Sequence, residues 1–248
     1  MSKEDIVEEA LESTREDLRE VDREKHLVKA VKMLEKVEAS ITEEEERFKD
    51  WYSLHFPELV EEVDDIEHLV KILGSGVDRS ELDSFEEMAS NSKGADITEK
   101  EEEIIESVLD NLESDIKLRD ELEAYIQDLT KEEMPNLSKL LGTFLAARML
   151  ALAGGLEEMA KMPASTVQML GAEKALFRYL RGEGTPPKHG LLFEHEFVRP
   201  LPSNERGKMA RFTANKAVMA ARLDNYGDKD KGEDLRDEAR EKFEDLKG

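Results

Sequence analysis

Hydrophobic side chains recur at seven-residue intervals near the start of the chain. The positions are Leu27, Leu34, Ile41 and Phe48. Charged residues fill most of the sequence between them, so one face of a helix stays apolar while the rest is solvated. This pattern is typical of a helix that packs lengthwise against another, and it predicts a helix from about 24 to 52. Pro57 marks its end, because proline does not continue a helix.

A second long apolar stripe, at mixed three- and four-residue steps, predicts a helix over about 98–130. Its members are Ile105, Val108, Leu112, Ile116, Leu122, Tyr125 and Leu129. Asp96 or Thr98 would cap this helix. At about 1.5 Å per residue it exceeds roughly 40 Å, so we expect it to pair with the first helix as an antiparallel coiled-coil arm. The seam at Leu112, Leu122 and Leu129 predicts a dimer arm, and its pairing within one chain, between two chains, or both is left open.

After Pro135 the sequence becomes rich in Ala and Gly and poor in charge. We expect a helix end at Gly154 and Gly155, a helix over 165–180, a loop over 181–190 and a short extended or buried piece over 191–198. A last helix over 203–224 would have Ser203 or Asn204 as its N-cap. The predicted fold class is all-α. Its parts are a charged N-terminal segment 1–23, an arm 24–133, a helical domain 134–224 and a charged tail 225–248 that is partly helical at most.

The aromatic stretch 48–59, FKDWYSLHFPEL, lies where the first helix ends. One interpretation is a core plug that anchors the arm to its neighbours. The other is a hot spot for a partner protein, since buried aromatic side chains dominate many interfaces. We favour the core plug.

Composition narrows the function classes. The chain has no cysteine, which excludes disulfides and thiolate metal sites and fits a reducing, cytoplasmic location. It contains no long apolar run and no N-terminal apolar segment of a signal peptide. No nucleophile, phosphate-loop or dinucleotide motif is present, so we expect no enzyme activity and no cofactor. The histidine and glutamate residues near position 195 lack a metal-binding spacing, so no metal is expected.

The distribution of charge points to one region. The net charge is −24, yet residues 171–222 hold ten Lys and Arg against five Asp and Glu, a local balance of +5. Either this basic region binds an anionic partner such as a nucleic acid, or it is a solvated surface with clustered charges.

Several cations of this region share helix faces. Lys174 and Arg178 are one turn apart on the predicted helix over 165–180, and Lys208 and Arg211 are neighbours on the last helix. Lys188 lies on the loop between them. His195, just beyond the loop, would pack, form a hydrogen bond, or stack on a base.

Four stretches of the chain closely resemble the archaeal Nop-domain family. They are RFKDWYSLHFPEL, PNLSKLLGTFLAARMLALAGGLEEMAKMPASTVQMLGAEKALFRYL, PPKHGLLFEHEFV and RGKMARFTANKAVMAARLD. They span residues from about 24 to 224 in family order. The family provides the scaffold of box C/D guide-RNA particles, and its members have a helical arm followed by a Nop domain.

The resemblance implies a non-catalytic scaffold that binds a kink-turn RNA together with the ribosomal-type protein bound to the kink. In the family this assembly organises guide-directed 2'-O-methylation of rRNA or tRNA, with fibrillarin as the methyltransferase and a homodimer formed through the arm. The matching RNA- or RNP-binding positions are Glu173, Lys174, Arg178, Lys188, His189, His195, Arg206, Lys208, Arg211 and Lys216.

One departure from the family concerns the N-terminus. Members carry an N-terminal α/β domain that docks fibrillarin, whereas about 23 residues precede the arm here. We therefore expect either a natural short form that lacks this domain or a fragment that begins at the arm, and in both cases fibrillarin is only a possible partner. The alternative functions are a short paralogue, or a coiled-coil assembly protein, that does not recruit the methyltransferase.

Overall fold

The computed structural model describes residues 23–227 and 230–248. These residues form helices joined by turns and contain no strand, so the predicted all-α class is confirmed. The predicted segment 1–23 lies almost wholly outside the described residues. Two compact units are present: one is Lys32–Tyr125, and the other combines the described residues up to Val31 with Ile126–Gly248. Within the described part of the chain, no helix has the length and apolar character needed to cross a membrane.

The α-helices are named in chain order. They are α1 (Arg23–Tyr52), α2 (Pro57–Glu62), α3 (Ile66–Leu73), α4 (Glu86–Ser90), α5 (Glu99–Glu133), α6 (Pro135–Leu141), α7 (Thr143–Ala153), α8 (Leu156–Lys161), α9 (Ala164–Val167), α10 (Glu173–Leu180), α11 (Ser203–Tyr226) and α12 (Gly232–Lys247). Short 3-10 turns occur at Arg79–Glu81, Asp83–Phe85 and Leu191–Glu194.

In the unit Lys32–Tyr125, α1 and α5 run antiparallel and share one hydrophobic core. Ile41 and Phe48 of α1 are buried in the same cluster as Ile105 and Leu112 of α5. All four heptad positions predicted for α1 are buried. The amide of Asn111 donates to the Glu44 carboxylate at 3.2 Å, which joins exposed rims of the two helices. The apolar stripes therefore meet as predicted, because each covers the side of the other that water would otherwise reach.

The aromatic stretch at the end of α1 is mainly core. Phe48, Tyr52 and Phe56 are buried, and the Tyr52 hydroxyl donates to the carbonyl of Val77 at 2.9 Å. Burial raises the pKa of Tyr52 above its ordinary value, since the phenolate would lose its solvation. Trp51, in contrast, keeps 40% of its surface exposed. The core-plug interpretation holds for three of the aromatic residues and not for the tryptophan.

Arg79 holds the segment that leads into α5. Its Nη1 donates to the carbonyls of His55 at 2.7 Å, Gly94 at 2.9 Å and Ala95 at 3.0 Å. The buried His55 ring accepts from the Arg79 backbone N–H at 3.0 Å, and its Nδ1 lies 2.7 Å from the Ala95 oxygen. One guanidinium thus satisfies three carbonyl groups that have no place in a helix or sheet.

Thr98, one of the two predicted caps, directly precedes α5. Its backbone N–H and hydroxyl both donate to the Glu101 carboxylate, at 2.6 and 2.9 Å. The spacing Thr-x-x-Glu is that of a capping box. The predicted cap of α11 was wrong: Ser203 is already its first residue, Pro202 precedes it, and no side chain caps the helix.

Helix α11 is central to the unit that contains Ile126–Gly248. It packs against α6, α8, α9 and α12. Its buried side chains are mostly small; they include Ala210, Ala214, Ala217 and Ala221. Small side chains let neighbouring backbones approach closely, which explains the alanine-rich composition of this part of the sequence.

Two polar features fix the ends of helices in this unit. Gly154 ends α7 in the left-handed region, with φ +87°, and donates to Leu150, which confirms the predicted helix end. The Asp224 carboxylate in the last turn of α11 accepts from the backbone N–H groups of Asn136 and Leu137, each at 2.9 Å. These N–H groups belong to the first turn of α6 and lack helical partners.

The helix predicted over 165–180 is two helices, α9 and α10, separated by a turn at 168–172. Gly171 lies in this turn with φ +80°, a left-handed conformation that interrupts a right-handed helix.

The C-terminal tail is also more ordered than predicted. Residues 232–247 form α12, which buries Leu235, Ala239 and Phe243. These residues are spaced by four, so they form a narrow apolar stripe on an otherwise charged helix. The stripe is short and surrounded by charges, so the sequence alone predicts a charged tail here.

Candidate nucleic-acid interface

The basic region predicted at 171–222 consists of α10, the loop 181–190, the 3-10 turn Leu191–Glu194 and α11. All of these elements belong to one compact unit. The geometry decides which of the predicted cations reach solvent and which are held by neighbouring groups.

Helix α10 buries none of its residues. Lys174 and Arg178 are exposed along one side, where they are one helical turn apart. On the adjacent side, Phe177 is 58% exposed and Leu180 is 68% exposed. The helix therefore presents two positive charges and an apolar surface together. The predicted residue Glu173 is exposed at its start and accepts a hydrogen bond from the N–H of Gly171 at 2.9 Å.

The end of the loop 181–190 is fixed by hydrogen bonds to the turn that precedes α10. Gly190 donates to the carbonyl of Gln168 at 2.8 Å, and Leu191 donates to that of Leu170 at 2.7 Å. The Gln168 side-chain amide donates in turn to the carbonyl of Lys188 at 2.6 Å. A side chain at position 190 would overlap the Leu170 carbonyl, so this close approach requires glycine. The backbone that carries Lys188 is therefore positioned by the fold.

Phe193 brings His189 and Arg206 together. The His189 ring stacks on Phe193 with 4.9 Å between centroids, and the Arg206 guanidinium carbon lies 5.2 Å from the Phe193 centroid. The Arg206 Nε donates to the carbonyl of Leu201 at 2.6 Å, which fixes the guanidinium in place. Burial lowers the pKa of His189, and the positive charges of Arg206 and Lys188 lower it further. At neutral pH the His189 ring is therefore neutral and offers both a donor and an acceptor.

Helix α11 carries an exposed polar stripe. Lys208, Asn215 and Arg222 are spaced by seven residues and share one face with Arg211. Lys208 pairs with Glu205 at 2.9 Å, but the Lys208 side chain remains 65% exposed, so water screens this pair. Within the described part of the chain, Arg211 has no carboxylate partner. Lys208 and Arg211 can therefore reach phosphate oxygens, whereas the Arg222 Nε donates to the carbonyl of Ala160 at 2.9 Å and is held by that contact.

His195 is buried in the fold and is not placed where it could contact RNA. Only 2% of this residue is exposed. Its Nε2 donates to the carbonyl of Leu140, with 3.0 Å between nitrogen and oxygen, and its Nδ1 accepts from the N–H of Phe197 at 3.1 Å. Burial lowers the pKa of His195, because a charged ring would lose its solvation. Both ring nitrogens are used inside the fold, so none remains for a nucleotide.

Lys216, also predicted to contact RNA, is mostly buried and does not belong to the exposed stripe of α11. It forms an ion pair with Glu238 of α12, and its ammonium lies 5.3 Å from the centroid of the Phe212 ring. We therefore leave both His195 and Lys216 out of the candidate interface. Phe177 and Leu180, in contrast, belong to the candidate interface although they are absent from the residues predicted for it. Their apolar character is a signal in the sequence, but only the fold shows that they stay exposed among the residues that the structure describes.

The residues predicted for the dimer arm lie mainly inside the chain. Leu112 and Leu129 are buried, and Leu122 is half-buried. In the unit Lys32–Tyr125, the exposed apolar side chains Trp51 and Ile104 line a groove of about 430 Å³. A second copy would meet those side chains rather than Leu112, and self-association stays a prediction.

Comparisons with known proteins agree with the resemblance. The family model Nop, described as "snoRNA binding domain, fibrillarin", matches residues 12–245. An uncharacterized NOP5 family protein of Methanocaldococcus jannaschii is 38% identical over 220 residues, which are 83% of this chain and 53% of that protein. Nucleolar protein 56 of Saccharomyces cerevisiae is 34% identical over 222 residues, 82% of this chain and 44% of that protein.

A solved structure is similar as well. A fibrillarin/Nop5p complex contains a chain that is 29% identical, with a TM-score of 0.49, over 85% of this chain and 74% of that one. The present chain spans about half the length of the curated relatives it matches. Because the family model covers residues 12–245 of the 248, the chain belongs to the Nop family, whose shared region is described as an snoRNA binding domain.

Proposed function

We propose that the chain is a non-catalytic scaffold of a box C/D-type ribonucleoprotein. In this proposal it binds a kink-turn RNA together with the small ribosomal-type protein that holds the kink. The assembly then organises guide-directed 2'-O-methylation of rRNA or tRNA. Membership of the Nop family supports RNA binding in general, and the surface of α10 and α11 supports the composite form of recognition.

The observation that carries the proposal is the mixed surface of α10. Exposed apolar side chains that lie together on a helix are typical of protein–protein contacts, and Phe177 and Leu180 form such a pair. Lys174 and Arg178 border this pair and are suited to phosphate oxygens. A helix with both surfaces fits a target that is part protein and part RNA.

The neighbouring elements extend the cationic part of this surface. Lys208 and Arg211 on α11 provide exposed charges for the RNA backbone. Lys188 lies beside them on the fixed loop, and His189 and Arg206 both pack on Phe193, where a flat ring and a guanidinium plane can accept an unstacked base. Phosphate contacts would position the RNA, and the loop would read its shape.

In this proposal the chain contributes binding surfaces and no chemical step. The methyl transfer belongs to a separate methyltransferase, fibrillarin, which the description of the matching family also names. A contact with fibrillarin is part of the proposal and involves no residue identified above.

A gel-shift titration tests the composite surface. Kink-turn RNA is titrated alone and after saturation with its kink-turn-binding protein. We expect weak binding to RNA alone and much tighter binding to the complex. Phe177→Ala/Leu180→Ala should reduce binding to the complex by about tenfold and leave binding to RNA alone unchanged, because an apolar pair contacts protein rather than phosphate. Equal affinity for RNA with and without its protein would refute composite recognition.

A charge reversal tests the RNA contacts. Lys208→Glu/Arg211→Glu should weaken binding to both forms of the RNA by roughly thirtyfold or more near 0.1 M salt, since two phosphate contacts and their counterion release are lost. The matched control is Lys32→Glu/Lys36→Glu, which makes the same charge change at exposed positions of α1. If both pairs of substitutions weaken binding equally, the effect is one of net charge and α11 is not the interface.

We also propose that two copies associate through the arm. The groove lined by Trp51 and Ile104 in the unit Lys32–Tyr125 is apolar and open, as expected of a surface that a second copy covers. Sedimentation equilibrium should detect a dimer at micromolar concentration, and Trp51→Glu should weaken it. A monomer at that concentration would contradict the proposal.

A further inference from the structure

The contact between Lys216 and α12 suggests a role for the C-terminal helix. The Lys216 side chain is 13% exposed, and its ammonium pairs with the Glu238 carboxylate, which is itself half exposed. On a helix with 3.6 residues per turn, position 216 lies about 80° around the axis from position 208. Lysine has a long flexible side chain, so its partner decides whether the charge reaches the exposed stripe of Lys208 and Arg211.

Helix α12 is held firmly enough to define the position of Glu238. Phe243 stacks on Phe197, with 5.4 Å between the ring centroids. Arg236 pairs with Glu196 at 2.8 Å, and Leu235 and Ala239 are buried. Glu238 thus comes from a docked helix and not from a free chain end, so its pairing with Lys216 belongs to the fold.

The charge of α12 opposes binding of a polyanion at its position. Its sixteen residues include seven Asp or Glu and four Lys or Arg. An RNA backbone that approached Lys216 would meet these carboxylates, and it would have to displace Glu238. A bare RNA depends on phosphate contacts for nearly all of its affinity, whereas a protein-bound RNA also gains the contacts of α10.

We propose that Glu238 withholds Lys216 from RNA and thereby limits the number of phosphate contacts that the chain makes. By removing one cation from the phosphate-binding surface, it lowers the affinity for RNA that lacks its partner protein. The same phosphate contact is withheld from the composite target, which keeps the additional protein contacts of α10. This inference rests on the proposed function, and it adds a residue outside the RNA-contacting set.

The test compares single and double substitutions in the full chain. Binding of a kink-turn RNA without protein is measured from about 0.05 to 0.3 M salt for wild type, Glu238→Gln, Lys216→Ala and the double variant. Glu238→Gln should bind roughly three- to eightfold more tightly at 0.1 M salt, with the slope of log K against log salt steeper by about 0.7 to 0.9, the value for one added phosphate contact. Lys216→Ala should bind like wild type, and the double variant should lose the gain.

The matched control is Glu241→Gln, an exposed position on the same helix that removes the same charge without a contact to Lys216. It should raise affinity by less than twofold. If Glu241→Gln and Glu238→Gln have equal effects, the charge of α12 acts only at long range and the proposal is wrong. If Lys216→Ala alone weakens binding as much as Arg211→Ala, Lys216 already contacts RNA and the proposal is also wrong.

The variants distinguish failure of the Glu238 proposal from failure of the proposed RNA-binding function. Lys208→Glu/Arg211→Glu reports on RNA binding by α11 regardless of Glu238. If Lys208→Glu/Arg211→Glu loses RNA binding as expected but Glu238→Gln does not gain RNA affinity, only the role of Glu238 is overturned. Absence of RNA binding by the wild-type chain overturns both. Circular dichroism of each variant at the assay temperature verifies that the helices are intact.

Discussion

Substitution of His195 separates a structural role from an RNA contact. The buried ring donates to the carbonyl of Leu140 and accepts from the N–H of Phe197. His195→Leu would leave both of these buried groups without a partner. Each such group costs about 1 to 3 kcal/mol, so we expect a loss of roughly 2 to 6 kcal/mol in the free energy of unfolding. His195→Gln has an amide that can still donate to Leu140, and it should lose about half as much.

The assay is urea denaturation followed by circular dichroism, with the midpoint compared at constant slope. RNA binding is measured on the same variants at low temperature, where all of them remain folded. We expect the unfolding midpoint to fall while RNA affinity stays within twofold of wild type. A tenfold loss of RNA affinity with an unchanged midpoint would refute the reasoning, because it would mean that the ring contacts RNA.

The pH dependence of stability gives a second measurement on the same residue. The pKa of His195 is lowered in the folded chain, so below about pH 6.5 the unfolded chain binds a proton that the folded chain resists. Stability should therefore fall as pH decreases from about 6.5, with a slope of at most about 1.4 kcal/mol per pH unit from this group. His195→Gln should reduce that slope, while a slope identical to wild type would contradict the assignment.

Three further predictions concern groups that hold the fold. Arg79→Ala leaves the carbonyls of His55 and Gly94 without a donor, while the carbonyl of Ala95 keeps the His55 ring. It should destabilise the unit Lys32–Tyr125 by about 2 to 4 kcal/mol, measured by the fluorescence of Trp51, the one tryptophan of the chain. An unchanged midpoint would show that water replaces the guanidinium. Asp224→Ala removes the acceptor for the first N–H groups of α6, so it should lower the free energy of unfolding by about 1 to 3 kcal/mol in urea denaturation. The exposed control Asp237→Ala should change the free energy of unfolding by less than about 0.5 kcal/mol. Gly171→Ala forces a side chain into a left-handed conformation at φ +80° and should cost about 1 to 2 kcal/mol in thermal unfolding; equal stability would mean that the turn relaxes.

Local sequence pattern was sufficient for much of the fold. Two helices long enough to form an arm follow from apolar spacing, because a helix places every third or fourth residue on one face regardless of its neighbours. The capping box at Thr98 and the glycine end of α7 are likewise local, since each depends on hydrogen bonds within a few residues. The basic region was found from charge alone.

Other features depended on contacts between residues far apart in sequence. The apolar stripe of α12 is too short to predict a packed helix, and it becomes one only because Phe197 and α11 provide a surface to cover. The aromatic residues at the end of α1 illustrate the same point. Tyr52 is buried and its neighbour Trp51 is exposed, although both residues are large and aromatic.

The candidate interface shows most clearly which features follow from the sequence alone and which depend on tertiary contacts. Its charge and location were determined by the amino-acid sequence, because net charge is a sum over residues and needs no geometry. Tertiary structure alone decided that Lys208 and Arg211 face solvent, that Glu238 neutralises Lys216, and that His195 is enclosed. The availability of a side chain depends on which distant residues lie within a few ångströms of it, and only the folded chain sets those distances.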